Sequence, residues 1–316
     1  MTSSLNLSFV RRKLLLTCFL FTSIFYASFS LYLYLQQHYL IFRPQVELQM
    51  LPTAPDFNLK YQNIRISIAN HTANNTNEYL DGWWFDAPKF NEKIDSIPNE
   101  PVKILSSPKT ILYFCGAGGN KSYYNNLARI QAMQQLGFSV LVVDYRGFGE
   151  SKGNQHPNES QIYQDSQTTW NYLVNQRRIS PKDIIIYGES LGGAVAIDLA
   201  VKHPQAGGLI VQSSFTSMAE TVKQQDWLKI FPIDLLLTQK FNSIAKIKKL
   251  QVPVLFIHGT ADSVVPSYMS SRLYNLAPEP KQLFKVPQAG HFQIYKPGDN
   301  SYLKAIEKFI NSIESQ

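Results

Sequence analysis

Hydrophobic positions divide this chain into one long apolar stretch and a series of short segments. Residues 14–35 carry no charged side chain, and three cations stand directly before them at 11–13. About 20 apolar residues span a bilayer as a helix, and the flank that carries the cations is normally cytoplasmic. We therefore predict an N-terminal segment, 1–43, that contains a transmembrane signal-anchor, with residues 44–316 forming a domain on the non-cytoplasmic side.

A cleaved signal peptide is the alternative interpretation of the same stretch. Ser28 and Ser30 are small residues of the kind found before a cleavage site. Cleavage would release a secreted or periplasmic protein. The apolar run continues past both serines and is longer than an ordinary signal sequence, which favours the uncleaved anchor.

After the anchor, short β-branched runs alternate with amphipathic ones. A proline-bearing linker at 45–55 leads into a predicted antiparallel pair of strands at 61–69 and 80–85, with polar segments at 70–77 and 91–108. From residue 109 onwards strands alternate with helices, and this order predicts an α/β fold with a mostly parallel sheet covered by helices on both faces. Strands are predicted at 110–114, 138–143, 184–187, 208–212, 252–257 and 282–286; helices are predicted at 127–136, 160–176, 267–276 and 303–313, with one directly after the strand at 184–187.

Composition narrows the class of function. The formal net charge is +7 and the basic residues are scattered, so no nucleic-acid partner is expected. Cys18 and Cys115 are the two cysteines of the chain, and histidine and cysteine show no metal-ligand spacing. A dinucleotide fingerprint is not matched either. We therefore expect neither a metal nor a cofactor.

The candidate nucleophile lies where a predicted strand turns into a helix. The sequence GESLGG at 188–193 follows the strand at 184–187 and opens an apolar helix. This context makes Ser190 the candidate, with the amide of Leu191 at the helix N-terminus beside it. The same pattern occurs around Ser151, but a loop follows that match, so we do not expect Ser151 to be the nucleophile.

A serine nucleophile needs a base and an orienting acid. His291 follows the last predicted strand and Asp262 follows the one before it, so both belong to the sheet edge where Ser190 emerges. We expect His258, at the end of a strand, to be a satisfied core histidine. The remaining histidines and the other acids considered are not placed there by a strand end: His38, His71, His156, His203, Asp198, Asp226 and Asp234.

An oxyanion site needs a second backbone donor besides Leu191. The glycine-rich segment 115–120 follows a predicted strand and precedes a helix, and the amide of Ala117 is our candidate. An ordinary strand-to-helix turn explains the same glycines.

At this point the chain resembles the α/β-hydrolase superfamily, and most closely its membrane-anchored, single-pass abhydrolase-domain serine hydrolases with a short lid. The resemblance extends from about residue 61 to the C-terminus and is carried by VDYRGFGES at 143–151, GESLGG at 188–193, HGTAD at 258–262 with VP at 265–266, and GH at 290–291. It implies a catalytic triad of Ser190, His291 and Asp262, and a second strand that runs antiparallel. The family usually has His-Gly where this chain has Cys115 and Gly116. Because the donor is a backbone amide, the resemblance still implies activity.

We therefore expect a membrane-anchored serine hydrolase that cleaves a carboxylic ester, a thioester or an amide in a small-molecule or lipid-like acyl substrate. A serine peptidase of the same fold and a catalytically silent membrane scaffold are the alternatives. A short lid is predicted at about 215–250. Its apolar residues would either form an acyl-chain site that faces the bilayer or pack on the sheet.

Overall fold

A single helix carries the long apolar stretch. The structure, a computed structural model, describes residues 3–68, 78–88, 109–153, 156–295 and 300–314, so the predicted segments 70–77 and 91–108 lie outside the described residues. Helix α1 spans Ser3–Ile41. Within it, Ser8–Ile41 is long and apolar enough to cross a membrane. The predicted span is thus present as a helix, while its orientation stays a prediction.

The strands are β1 (Arg43–Pro44), β2 (Gln62–Ser67), β3 (Tyr79–Phe85), β4 (Thr110–Phe114), β5 (Gly118–Gly119), β6 (Ser139–Val143), β7 (Ile184–Glu189), β8 (Gly208–Gln212), β9 (Val254–Gly259) and β10 (Lys281–Val286). Eight of them form the central sheet, in the order β10-β9-β8-β7-β4-β6-β3-β2. β3 runs antiparallel to both of its neighbours, and the other neighbouring pairs are parallel. A mostly parallel sheet with an antiparallel second strand is confirmed.

Helices cover both faces of this sheet. The helices after α1 are α2 (Tyr124–Gln135), α3 (Glu159–Asn171), α4 (Leu191–Lys202), α5 (Met218–Val222), α6 (Ile233–Leu236), α7 (Ser243–Lys246), α8 (Tyr268–Leu276) and α9 (Asn300–Glu314). Successive side chains of β7 alternate between the two faces of the sheet. Ile186 packs in one apolar cluster with α3, α4 and α8, and Ile185 packs in the other with α2 and α9.

The segment after α1 is irregular, as predicted, but it is bound to the domain. β1 pairs with β5 in a two-stranded parallel sheet that the sequence did not predict. Beyond β1, Asn120 Nδ2 donates to the carbonyls of Gln45 and Glu47 at 2.9 and 2.8 Å, and the Gln49 amide donates to Ser122 Oγ at 2.7 Å. Residues 43–49 therefore lie along the loop that follows β4.

Candidate active site

The turn between β7 and α4 holds the candidate nucleophile in an unusual backbone conformation. Ser190 has φ 53° and ψ −118°, outside the regions that L-residues normally occupy. Such strain at a strand-to-helix turn is typical of a nucleophile elbow. The Ser190 amide donates to the Gln212 carbonyl at 2.9 Å, and Ser214 Oγ donates to the Ser190 carbonyl at 2.8 Å. Both bonds tie the turn to β8 and the residues after it.

Two glycines allow this turn to form. A Cβ atom on Gly188 would lie 2.0 Å from the Gly192 carbonyl oxygen, and one on Gly192 would lie 2.1 Å from the Phe114 carbonyl oxygen. Both contacts are with backbone, which cannot swing aside. The motif therefore needs glycine at these two positions for steric reasons.

A buried ion pair stands directly behind the nucleophile. Glu189 Oε1 accepts from Arg129 Nη2 at 2.6 Å, and Glu189 Oε2 accepts from Tyr113 Oη at 3.2 Å. Both charged side chains are buried. Arg129 comes from α2, so the pair links that helix to the elbow. This pair is not among the features predicted from the sequence, although a cation within the apolar spacing of α2 was a signal for it.

The candidate acid and base are in direct contact. Asp262 follows β9, His291 follows β10, and His291 Nδ1 donates to Asp262 Oδ2 at 2.7 Å. Asp262 Oδ1 accepts from the amides of Val264 and Val265 at 2.9 and 2.8 Å. Among the hydrogen bonds of the described residues, His291 uses only Nδ1. Its Nε2 is therefore available to a hydroxyl group.

A second imidazole faces the same carboxylate. His258 Nε2 lies 3.1 Å from Asp262 Oδ2 and 2.8 Å from the Val265 carbonyl, and Nδ1 lies 2.6 Å from Ser270 Oγ. His258 is thus a buried histidine with all its polar atoms partnered, and it also contacts the candidate acid, which the sequence analysis did not foresee. Burial on its own would raise the pKa of Asp262. The hydrogen bonds from His258 and His291 outweigh it and hold that pKa well below its usual value.

Backbone bonds hold the acid loop and the base loop together. The Thr260 amide donates to the Val286 carbonyl at 3.0 Å, the Ala261 amide donates to the Ala289 carbonyl at 3.0 Å, and the Gln288 amide donates to Thr260 Oγ1 at 2.9 Å. The distance between Asp262 and His291 is therefore set by main-chain contacts between neighbouring loops.

The loop that carries Ala117 lies against the nucleophile. A methyl group placed on Gly116 would be 3.5 Å from Ser190 Cβ and 4.0 Å from Ser190 Oγ. The Ala117 carbonyl accepts from the Arg43 amide at 3.1 Å, which continues the pairing of β1 with β5. Burial raises the pKa of the Cys115 thiol, so this cysteine stays protonated.

Lys121 fixes the far end of the same loop. Its Nζ donates to Asp81 Oδ1 at 2.8 Å and to Asp144 Oδ2 at 2.7 Å, and its amide donates to Asp144 Oδ1 at 2.7 Å. All three side chains are buried. The cluster joins the loop to Asp81 within β3 and to Asp144 directly after β6.

The candidate residues share one edge of the sheet. Ala117, Ser190, Asp262 and His291 follow β4, β7, β9 and β10, which all run in the same direction. The structure brings Asp262 and His291 into contact. The described residues include no hydrogen bond between Ser190 Oγ and His291 Nε2.

The alternatives considered from sequence have other partners. Ser151 Oγ is buried, donates to the Asp144 carbonyl at 2.6 Å and accepts from the Asp81 amide at 2.8 Å. Asp198, Asp226 and Asp234 are paired with lysines. Ser190 and Asp262 therefore stay the predicted nucleophile and acid.

Comparison with known proteins identifies relatives of this chain. The family model described as "Serine aminopeptidase, S33" matches residues 106–245. The Mycobacterium tuberculosis protein Rv2307c is 38% identical, over 73% of this chain and 74% of its own length. The Schizosaccharomyces pombe protein bem46 is 30% identical, over 78% of this chain and 76% of its own length. Among solved structures, the Pyrococcus furiosus esterase Pf2001 superposes with a TM-score of 0.65 at 17% identity, covering 87% of this chain and 98% of that one.

We predict that Gly188→Ala destabilises the protein by at least about 3 kcal/mol, the upper range for an overpacked core, because the new methyl group overlaps the Gly192 carbonyl. Gly118→Ala is the matched control, since a Cβ there meets nothing within 4 Å. Thermal unfolding of both variants measures the difference. Equal melting temperatures would contradict the steric account of the elbow.

Proposed function

Because this chain belongs to the α/β-hydrolase superfamily, we propose that it is a membrane-anchored serine hydrolase that cleaves carboxylic ester or thioester bonds. The observation that supports this most is the 2.7 Å bond between His291 Nδ1 and Asp262 Oδ2, at the sheet edge where the strained turn presents Ser190. No cofactor or metal is part of the proposal.

In the proposed reaction, Ser190 Oγ attacks the acyl carbonyl carbon while His291 Nε2 takes its proton. The resulting imidazolium gives that proton to the departing alcohol or thiol, which leaves the acyl group on Ser190. His291 then takes a proton from water, the resulting hydroxide attacks the acyl carbonyl carbon, and the imidazolium returns the proton to Ser190 Oγ as the bond to the acyl group breaks and the carboxylic acid leaves. Asp262 stays ionised, in line with its lowered pKa, and stabilises the imidazolium.

Among the described residues no hydrogen bond joins Ser190 Oγ to His291 Nε2, and this is the contact that the proposed triad still has to form. Catalytic hydrogen bonds are often long in a free enzyme and shorten when substrate binds. Ser190 follows β7 and His291 follows β10, so in the proposed reaction substrate binding brings these two strand ends into contact, with His291 still bonded to Asp262.

The proposed oxyanion site consists of the amides of Leu191 and Ala117. Leu191 is the first residue of α4, where the unpaired amides and the helix dipole favour negative charge. Ala117 is in the loop that lies against Ser190. Each such donor stabilises a transition state by about 3 kcal/mol.

We predict that a fluorophosphonate probe labels the wild-type protein and that Ser190→Ala abolishes both labelling and ester turnover, with a loss of about 10⁶-fold in kcat. Ser151→Ala is the control within the second copy of the motif. It removes two buried hydrogen bonds and leaves the Asp81 amide without its partner, which lowers stability by about 1–3 kcal/mol, and it keeps the label. A folded wild-type protein that takes no label would favour the silent scaffold.

We predict that Asp262→Asn lowers kcat by about 10⁴-fold, the effect known for a triad whose histidine is held in the wrong tautomer. Asp234→Asn loses only an exposed ion pair with Lys223, worth less than about 1 kcal/mol, and keeps its turnover. Steady-state kinetics on one ester compares them. The opposite ranking would show that the acid is assigned wrongly.

Turnover of a panel of acyl esters, acyl thioesters and aminoacyl amides distinguishes esterase from peptidase activity, with the Ser190→Ala variant as the negative control. The description of the matching family model as a serine aminopeptidase supports including the amides. We expect kcat/KM to be higher for esters and thioesters. Faster cleavage of the aminoacyl amides would make the protein a peptidase.

A further inference from the structure

Helix α1 is in contact with the domain over its second half, from Tyr26 onwards. Near its end, Gln37 Oε1 accepts from the amides of Thr238 and Gln239 at 2.7 and 3.2 Å, and Gln37 Nε2 donates to the Leu236 carbonyl at 3.3 Å. These partners belong to the segment 215–250. The side chain of Gln37 thus binds α1 to the backbone of the predicted lid.

The contact continues towards the middle of the helix. Tyr26 Oη donates to the Ile230 carbonyl at 3.0 Å, and the Tyr26 ring stacks on Phe231 with centroids 5.1 Å apart. The Phe29 ring lies 5.2 Å from Phe231 and 6.2 Å from Trp227. The lid therefore touches α1 well inside its uncharged stretch.

The position of these contacts sets their depth in a bilayer that α1 would cross. Tyr26 is 13 positions after Lys13, the last cation before the uncharged stretch. At 1.5 Å per residue the two are separated by about 20 Å, whereas the hydrocarbon layer is about 30 Å thick. With Lys13 at one boundary, Tyr26 lies about 10 Å short of the other. If the helix is tilted, the distance from Lys13 to Tyr26 along the membrane normal is shorter, so Tyr26 lies further from the second boundary.

The lid tip, which we define as Trp227, Ile230 and Leu235, is apolar and exposed. The exposed fractions of these side chains are 56%, 67% and 84%. Phe231 and Ile233, close to them in sequence, are buried in the domain core. One face of the lid segment therefore packs on the domain, and the other exposes apolar side chains to solvent, which is unfavourable in water.

Charges around the lid tip are compatible with the boundary of the hydrocarbon layer. Asp226 is paired with Lys229 and Asp234 with Lys223, each at 2.6 Å. Amphipathic segments lie at this boundary with their apolar side chains about 5–10 Å deep, and tryptophan is enriched there. This depth agrees with the position of Tyr26.

We propose that the lid tip docks in the bilayer leaflet beside α1, so that the domain enters the membrane with its lid as well as with its anchor. The proposal rests on α1 crossing the membrane. A bilayer is the occupant that the contacts favour, because the helix that would cross it is hydrogen-bonded to the lid and brings the lid tip to that depth.

The experiment places a fluorescent NBD group on one exposed cysteine at a time of the full chain, in nanodiscs that contain nitroxide-labelled lipid; Cys115 is buried and is kept in every variant. Native Cys18, exposed on α1, reports on the span. Leu235→Cys in a Cys18→Ser background reports on the lid tip. Leu276→Cys in the same background is the control, since Leu276 is exposed at the end of α8 that precedes the amino end of β10. Thermal unfolding verifies that each labelled variant is folded.

We expect the lipid nitroxide to remove most of the NBD fluorescence at Cys18 and at Leu235→Cys, and to leave Leu276→Cys almost unchanged. Quenching at Cys18 with equal, low quenching at the two leucine sites would overturn lid docking and leave the anchor intact. If Cys18 also showed no quenching, the result would contradict both the membrane span of α1 and the docking of the lid tip. None of these readings depends on hydrolase activity.

A label-free measurement addresses the same surface. Trp83, Trp84 and Trp170 are buried, so quenching by brominated lipid reports mainly on Trp227. We expect Trp227→Phe to remove most of the quenched fraction of the tryptophan emission. An unchanged fraction would count against the proposal.

Discussion

The backbone at Ser190 is the constraint that organises the candidate site. A residue held in such a conformation costs on the order of 1–3 kcal/mol and persists only where its surroundings fix it. Here β7 lies between β4 and β8 in the sheet, and α4 is buried along most of its length. The centre of the core therefore supplies the packing that offsets the strain, and Ser190 follows a strand in the middle of the sheet.

Buried charges surround this point without taking part in the proposed chemistry. Arg129 with Glu189 supports the elbow, and Lys121 with two aspartates supports the loop that carries Ala117. A buried ion pair contributes little net stability, because desolvation offsets the attraction between its charges. Both clusters instead give each loop one arrangement in which every charge has its partner. The two clusters therefore fix the geometry of the loops at the sheet edge.

Local pattern was sufficient to predict most of the sheet, because strands such as β4 and β8 are short apolar runs between turn residues. It also indicated Asp262 and His291, since residues after parallel strands meet at one edge. Pattern could not predict the pairing of β1 with β5, two residues each and far apart in sequence. It also could not show which side of α1 meets the lid, because this helix is apolar all round and has no polar face to orient it.

The pairing of β1 with the loop after β4 has a practical consequence for producing the domain in water. Phe42 is buried, with its ring 6.0 Å from that of Phe241, and residues 43–49 supply partners to Ala117, Asn120 and Ser122. A form trimmed to residue 45, the start of the linker, would lose β1 and with it the bond from the Arg43 amide to the Ala117 carbonyl. A form without the apolar helix therefore has to begin no later than Phe42 to keep this support of the candidate oxyanion loop.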